Sequence, residues 1–268
     1  MIKESFPFNY FSVWLSPTKM FQKRHDLRWF QIVIILLFLL ALNILPVPFF
    51  YQKQQSMPLD LYLPHVQKLL QKNSSQLQQA SQAGKFADGR YHFDHAQVLQ
   101  EDKQGVVGVN LSEKQLAHTK NAVVLGQRSF IFKENGTVNR LYYGDSFRAD
   151  QPLKKQLNQE WYHRNKAAIS FAMLQSIGSL FLLTNLVFVF GGGLILWLGR
   201  KSPLITLGSF RESVTVMVNI LGPVSLVVAI VGLVKFDVSL LLTLQMLGAV
   251  MLLLTIYAKT RFNDGNLG

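Results

Sequence analysis

Four stretches of the chain contain no Asp, Glu, Lys, Arg or His and are long enough to cross a bilayer. They cover residues 29–51, 167–199, 213–234 and 238–258. A helix of about 20 apolar residues spans the roughly 30 Å of hydrocarbon in a bilayer. Because lipid offers the backbone no water, each crossing segment must satisfy its own hydrogen bonds as a helix. The sequence therefore predicts an α-helical polytopic membrane protein with four transmembrane helices.

The basic residues predict which side of the membrane each flank occupies. Lys and Arg outnumber Asp and Glu in each of the segments 1–28, 200–212 and 259–268, and short basic flanks stay in the cytoplasm. With four spans, these segments share the cytoplasmic side if both termini are cytoplasmic, which makes segment 52–166 extracytoplasmic. The first span could instead be a cleaved signal peptide. Its apolar stretch is long for that role, and it ends in prolines and phenylalanines rather than small residues.

Composition narrows the class of function. The chain has no cysteine, so disulfides, thiolate metal sites and cysteine nucleophiles are excluded. An outward-facing domain without disulfides is compatible with a bacterial plasma membrane. The net charge of +12 would suit a nucleic-acid-binding protein. The basic residues, however, flank the apolar spans or lie in one long polar loop without an RNA-binding motif, so we expect no nucleic-acid partner.

Segment 1–28 is rich in aromatic and basic residues and predicts a helix lying in the cytoplasmic headgroup layer. As an anchor for the first span, it would contact lipid; alternatively, it is a docking surface for a partner. The candidate contacts for a partner come from this segment and from loop 200–212. They are Phe11, Trp14, Lys19, Phe21, Arg200, Phe210 and Arg211.

Segment 52–166 predicts a small α+β domain inserted between transmembrane helices 1 and 2. An amphipathic pattern indicates a helix over about 65–82, and β-branched runs after residue 90 indicate several strands. Ser112 and Gln115 have the spacing of a capping box, while Asn135-Gly136 indicates a turn between two strands. A helix over 153–166 would place Trp161 and Tyr162 in an aromatic belt at the outer interface.

Glycines, prolines and amides interrupt the apolar spans. The second span is longer than a bilayer needs, and Gly191-Gly192-Gly193 is its expected soft point. Gly222 and Pro223 free backbone groups in the third span. We interpret both sites as helix packing or kinks, with a moving hinge as the alternative. The intramembrane amides fit hydrogen bonds between helices better than a solute pathway; they are Asn43, Gln175, Asn185, Asn219 and Gln245.

Catalytic signatures are missing from the chain. It contains no P-loop, G-x-S-x-G or H-E-x-x-H motif, and ion-coupled carriers usually place an ionisable group inside a span. His92, Asp94 and His95 come closest to a metal cluster, but a strand would put only two of them on one face. We therefore expect no enzyme activity, no metal and no cofactor.

The chain resembles a family of polytopic membrane proteins of Gram-positive bacteria that are named for maltodextrin (maltodextrose) utilisation. The resemblance is carried by SPTKMFQKR before the first span, by VVGVNL and KNAVVLGQRSFIFKENGTVNRLYYGD in the polar segment, and by LGSFRESVTVMVNILGP at the third span. It implies an association with uptake of starch-derived oligosaccharides through an ABC importer, and it supplies no catalytic residues.

The expected function is a non-enzymatic accessory subunit of such an importer. Its partners would be the bilayer and the permease subunits, with the solute-binding protein as a further candidate partner. A membrane sensor whose outer domain reads a ligand or envelope state is the alternative, and a stand-alone carrier or channel ranks below both. Four aromatic residues have the chemistry to stack on sugar rings, although a strand more often buries such residues in its core. They are Tyr91, Phe93, Tyr142 and Tyr143.

Overall fold

The computed structural model describes residues 6–144, 147–202 and 205–266. Parts of segments 1–28, 200–212 and 259–268 therefore lie outside the described residues. The α-helices in chain order are α1 (Phe8–Phe11), α2 (Pro17–Gln22), α3 (Trp29–Ile44), α4 (Pro46–Lys53), α5 (Pro64–Lys72), α6 (Ser74–Ala83), α7 (Glu113–Leu116), α8 (Leu153–Leu186), α9 (Gly192–Leu198), α10 (Phe210–Val234) and α11 (Val238–Thr260). The strands are β1 (Lys85–Ala87), β2 (Arg90–His92), β3 (Gln97–Asp102), β4 (Gly105–Val109), β5 (Ala122–Leu125), β6 (Ser129–Glu134) and β7 (Thr137–Tyr142).

The chain divides into two compact units. Residues 1–53 and 168–268 form what we call the helical unit, and residues 54–167 form the α/β unit. In the described part of the chain, four helical segments are long and apolar enough to span a membrane, as the sequence predicts. These are Trp29–Lys53, Leu153–Lys201, Phe210–Val234 and Val238–Thr260.

Helix α10 is the central helix of the helical unit. In the most apolar 18-residue stretch of α10, 72% of the residues are buried, whereas 22% are buried in the corresponding stretch of α11. Small residues let its neighbours approach. A Cβ on Gly193 of α9 would lie 3.0 Å from the Val214 side chain, and one on Gly232 of α10 would lie 2.7 Å from Pro46. The other three spanning segments thus leave much more apolar surface uncovered than α10 does.

The second spanning segment passes through the three glycines without a break. It runs as a helix from Leu153 to Lys201, and a single π-helical turn, Val187–Gly191, precedes α9. Such turns are rare and frequently occur at functional sites. Gly192 and Gly193 face Met217 and Val214 of α10, so these two glycines serve helix packing.

The α/β unit contains a five-stranded sheet with strand order β3-β4-β5-β6-β7. β4 and β5 are parallel, and the other neighbours are antiparallel. The crossover between β4 and β5 holds α7, which has the predicted capping box at Ser112 and Gln115. Asn135 and Gly136 both have positive φ, as a tight turn between β6 and β7 requires. β1 and β2 form a separate two-stranded sheet.

Two expectations for this unit need correction. The helix expected over 65–82 is divided into α5 and α6 at Asn73, whose side chain donates 2.9 Å to the Leu69 carbonyl. Trp161 and Tyr162 are buried, and the Trp161 ring packs 5.4 Å from that of Tyr62. Their own unit covers these side chains, so they do not form an outward-facing belt.

Candidate functional site

The first described residues form a hairpin on α10. Residues 6–25, which we call the N-terminal hairpin, comprise α1, a turn, α2 and a 3₁₀ turn. Ser16 caps α2, with Pro17 as the first helical residue. Ser16 and Pro17 begin a new helix after the turn, so two short helices form where one amphipathic helix was expected.

Contacts along α10 show that the hairpin runs towards the middle of that helix and back. The Tyr10 hydroxyl donates 2.9 Å to the Val218 carbonyl. The Asn219 amide donates 2.9 Å to the Met20 carbonyl. Arg24 lies beside Glu212, in the first turn of α10. The hairpin therefore packs along the first half of α10 and is not a single helix standing apart from the helical unit.

The N-terminal hairpin packs against α10 at Gly222, next to Pro223. Gly222 is the central residue of the 25-residue helix α10. A Cβ there would lie 2.5 Å from both the Trp14 Nε1 and the Tyr10 hydroxyl oxygen, so only glycine admits these rings. Pro223 has no N–H to donate to the carbonyl four residues earlier. The Tyr10 hydroxyl supplies a donor to the adjacent carbonyl in the same turn.

An ionic clasp of Arg24, Glu212 and Asp264 closes the open end of the hairpin. The Arg24 side chain is only 3% exposed; it lies 2.6 Å from an Asp264 carboxylate oxygen and 3.5 Å from one of Glu212. The hydrogen bond from Arg24 lowers the pKa of the Asp264 carboxyl, and its charge acts in the same direction. Glu212 also accepts from the Gly208 N–H and the Ser209 hydroxyl. The clasp brings the hairpin and the C-terminal tail to the same end of the helical unit.

The outer face of the hairpin is apolar and uncovered. Phe8 is 68% exposed and Leu15 is 96% exposed, with the partly exposed Phe11 between them. Their spacing of three and four residues places them on one side of a helical path. Phe8 was missed in the sequence because α1 has only four residues, which are too few to show a helical pattern.

The predicted contact residues fall into two groups. In the hairpin, Phe11 and Lys19 are exposed and Trp14 is half-buried, whereas Phe21 is fully buried. The Phe21 ring packs against Phe262 of its own chain at 5.9 Å, so this side chain is not available to a partner.

The second group surrounds the start of α10. Phe210 is half-buried, and its ring lies 6.1 Å from those of Trp29 and Trp197. Arg200 is exposed, with its guanidinium 4.3 Å above the Trp197 ring. Arg211 is half-buried. These residues form an aromatic and basic cluster at the start of α10, and this cluster is separate from the tip of the hairpin.

The intramembrane amides mostly connect helices. Gln245 of α11 donates 2.5 Å to Asn185 of α8, and Asn219 binds the hairpin. Asn43 is fully buried, and its amide has no hydrogen-bond partner among the described residues. Gln175 is exposed. These two hydrogen bonds, which involve three of the five amides, match the interpretation of polar contacts between helices.

The four candidate sugar-stacking residues have different environments. Tyr91 and Tyr143 belong to an aromatic core with ring centroids 5.3 Å apart. Tyr91 is fully buried and its hydroxyl lies 2.5 Å from that of Ser81; burial raises the pKa of Tyr91 to about 12. Tyr142 is exposed, and Phe93 is half-buried. Phe93 lines a cavity that also has polar side chains.

The described residues of the α/β unit enclose open cavities. A cavity of about 540 Å³ is lined by α7, β6 and β7. A smaller one of about 210 Å³ lies where the end of α6 meets the loop after β2, and it includes His92, Asp94 and His95. Among the described residues no three acidic or histidine side chains are placed to hold a metal ion.

Comparison with known proteins finds relatives that match nearly the whole chain. It is 27% identical over 270 residues to the maltodextrose utilization protein MalA of Streptococcus pneumoniae, covering 97% of this chain and 98% of that protein. It is 21% identical over 271 residues to the putative maltodextrin utilization protein YvdJ of Bacillus subtilis, covering 94% and 90%. No protein-family model matches the chain, and no solved structure matches it. The chain is thus similar, over nearly its full length, to curated proteins named for maltodextrin utilisation, which confirms the resemblance seen in its sequence strings.

Proposed function

We propose that this chain is a non-enzymatic accessory membrane subunit of a carbohydrate ABC importer of the maltodextrin type. The helical unit packs beside the permease subunits in a bacterial plasma membrane. Both termini are cytoplasmic, and residues 52–166 are extracytoplasmic, near the permease mouth or the solute-binding protein.

The orientation is supported by charge and by the ionic clasp. Basic residues dominate the short flanks, which favours the cytoplasmic side for each of them. The contact of Arg24 with Asp264 joins the N-terminal hairpin to the C-terminal tail. Four membrane crossings return the chain to the side on which it began, so the contact agrees with an even number of spans.

The observation that carries the proposal is the uncovered tip of the hairpin at the middle of α10. With α10 across the bilayer, Gly222 lies roughly 18 Å of helix rise from Phe210, near the bilayer centre. The tip is the turn over residues 12–15 between α1 and α2. Irregular backbone is tolerated at this depth only where protein or a water-filled cavity covers it. The exposed tip therefore fits a surface that another membrane protein covers.

Two observations favour an importer permease as that protein. The relatives are named for maltodextrin utilisation, and an importer permease is the membrane-embedded protein that such a process requires. The apolar stretches of the four spans carry no Asp, Glu, Lys, Arg or His, so ion-coupled transport by this chain alone lacks its usual group.

Affinity purification from mild detergent tests the proposal. Wild-type protein should recover permease and ATPase subunits, and its deletion should reduce maltodextrin uptake. A Leu15→Lys variant should lose the permease, because a charge at the bilayer centre is costly, while Gln22→Ala, at an exposed position of the hairpin outside the tip, should retain it. Recovery of the wild-type protein alone, with uptake unchanged in the deletion strain, would contradict the proposal.

The second candidate function is a membrane sensor, favoured by the π-helical turn Val187–Gly191. The helical segment that contains it begins in the α/β unit and ends in the helical unit. A ligand that shifts the register of this turn would connect outer binding to the membrane helices. Spin labels on Phe171 and Ile195 should then change their separation when maltotriose is added, and an unchanged separation counts against the sensor.

A further inference from the structure

We infer that the smaller cavity of the α/β unit, which we call the hexose pocket, binds one glucose unit of a maltooligosaccharide. Its lining includes Gly84, His92, Phe93, Asp94, His95 and Gln97. The choice of sugar rests on the proposed function, whereas the choice of pocket rests on the side chains that surround it.

Phe93 supplies an apolar platform. Its ring stacks on that of Tyr91 with an interplanar angle of 14° and a centroid distance of 5.0 Å. Tyr91 is itself fixed by its contact with Ser81. A Cβ on Gly84 would lie 2.5 Å from the Phe93 ring, so the glycine allows the ring to lie flat against the end of α6. A half-buried ring held in this way presents one face to a ligand, and the apolar C–H face of a pyranose fits such a surface.

Exposed polar side chains line the pocket beside this platform. They belong to His92, Asp94, His95 and Gln97, and among the described residues none of the four side chains hydrogen-bonds or ion-pairs with another side chain or with the backbone. A carboxylate accepts two hydrogen bonds side by side, and an amide both donates and accepts. Vicinal sugar hydroxyls need this combination of a flat apolar surface with a few convergent polar groups.

The larger cavity lacks these features although it has more than twice the volume. Arg140 pairs with Glu113 across it, and the Lys133 ammonium donates 2.7 Å to the Leu116 carbonyl. Its charged groups are already satisfied, and no aromatic ring lines it.

The size of the hexose pocket also limits what it holds. At about 210 Å³ it is smaller than the roughly 300–1,000 Å³ of pockets for drug-sized ligands. A single pyranose ring is the appropriate occupant, and the rest of an oligosaccharide would remain outside the pocket.

Calorimetric titration of the purified full-length chain in detergent with maltotriose tests this inference. Wild-type protein should bind saturably. Asp94→Asn and Gln97→Ala keep the stacked rings and should each weaken binding roughly ten-fold through a lost hydrogen bond. Phe93→Ala should abolish it. Glu113→Gln in the larger cavity is the matched control and should leave the affinity unchanged.

Absence of saturable maltotriose binding by the wild-type chain would overturn the hexose pocket. Equal loss of binding in Glu113→Gln and Asp94→Asn would also overturn it, because the site would then lie elsewhere. Neither result affects co-purification with a permease, so failure of the pocket and failure of the accessory role are distinguishable.

Discussion

Replacing Gly222 by alanine should release the N-terminal hairpin from the middle of α10. The new Cβ would stand 2.5 Å from the Tyr10 hydroxyl and from the Trp14 indole nitrogen, a distance that real Cβ atoms do not show. Both rings are held by the fold, and Tyr10 is 2% exposed. The hairpin must therefore move, and the hydrogen bond from Tyr10 to Val218 breaks with it.

The expected magnitude follows from two contributions. Overpacking in a filled core costs about 1–3 kcal/mol, and the lost hydrogen bond adds about 1 kcal/mol. The better helix propensity of alanine does not enter, because α10 is helical in both the docked and the open state. The docked state of the hairpin should therefore lose about 2–4 kcal/mol, which corresponds to a roughly 30- to 900-fold larger open population.

Cysteine labelling measures that population directly because the chain has no cysteine of its own. Val13 is 1% exposed in the docked hairpin, so a Val13→Cys side chain reacts with a maleimide only when the hairpin opens. Its labelling rate should rise by the stated factor when Gly222→Ala is added. Gly191→Ala is the matched control, since nothing lies within 4 Å of its new Cβ. Equal labelling rates in the two variants would refute the docking of the hairpin on Gly222.

Three further predictions concern charges and amides of the helical unit. Arg24→Ala should lower the free energy of unfolding by about 3 kcal/mol, because it leaves buried Glu212 without its cation. Asp264→Asn should lower it by less than about 1 kcal/mol, because Asp264 is half-exposed. Thermal unfolding in detergent measures both differences. Arg24 depresses the folded-state pKa of Asp264, so this contribution is complete above about pH 4 and is lost as pH falls through the folded pKa. The melting temperature of wild type should thus approach that of Asp264→Asn under acid conditions, and a constant difference would contradict the linkage. A double-mutant cycle of Asn185→Leu and Gln245→Leu should give a coupling energy of about 0.6 kcal/mol, and no coupling would show that the 2.5 Å contact does not stabilise the fold.

Local features of the fold were predictable where local chemistry determines them. The four spanning helices follow from long runs without charged residues, because a single segment that crosses lipid satisfies its backbone hydrogen bonds by forming a helix. The capping box at Ser112 and the turn at Asn135-Gly136 follow from side-chain hydrogen bonding and from positive φ. Each of these signals lies within a few residues of the structure that it predicts.

The candidate site was less predictable because its contacts are far apart in sequence. The spacing of Phe11 and Trp14 is the same for a helix on the headgroups and for a hairpin inside the bundle. Only the contact with Gly222, about 200 residues later, distinguishes the two. The burial of Phe21 depends in the same way on Phe262. Sequence reasoning therefore found the aromatic segment and the Gly-Pro pair but not their association.

Photo-crosslinking from position 15 in living cells tests the central claim most directly. A photoreactive amino acid in place of Leu15 would sit at the uncovered tip of the hairpin, and one in place of Leu247 would sit on the exposed face of α11. The account predicts a protein adduct containing a sugar-importer permease subunit from position 15 but not from position 247. Lipid adducts alone at position 15, in cells that are taking up maltodextrin, would contradict it.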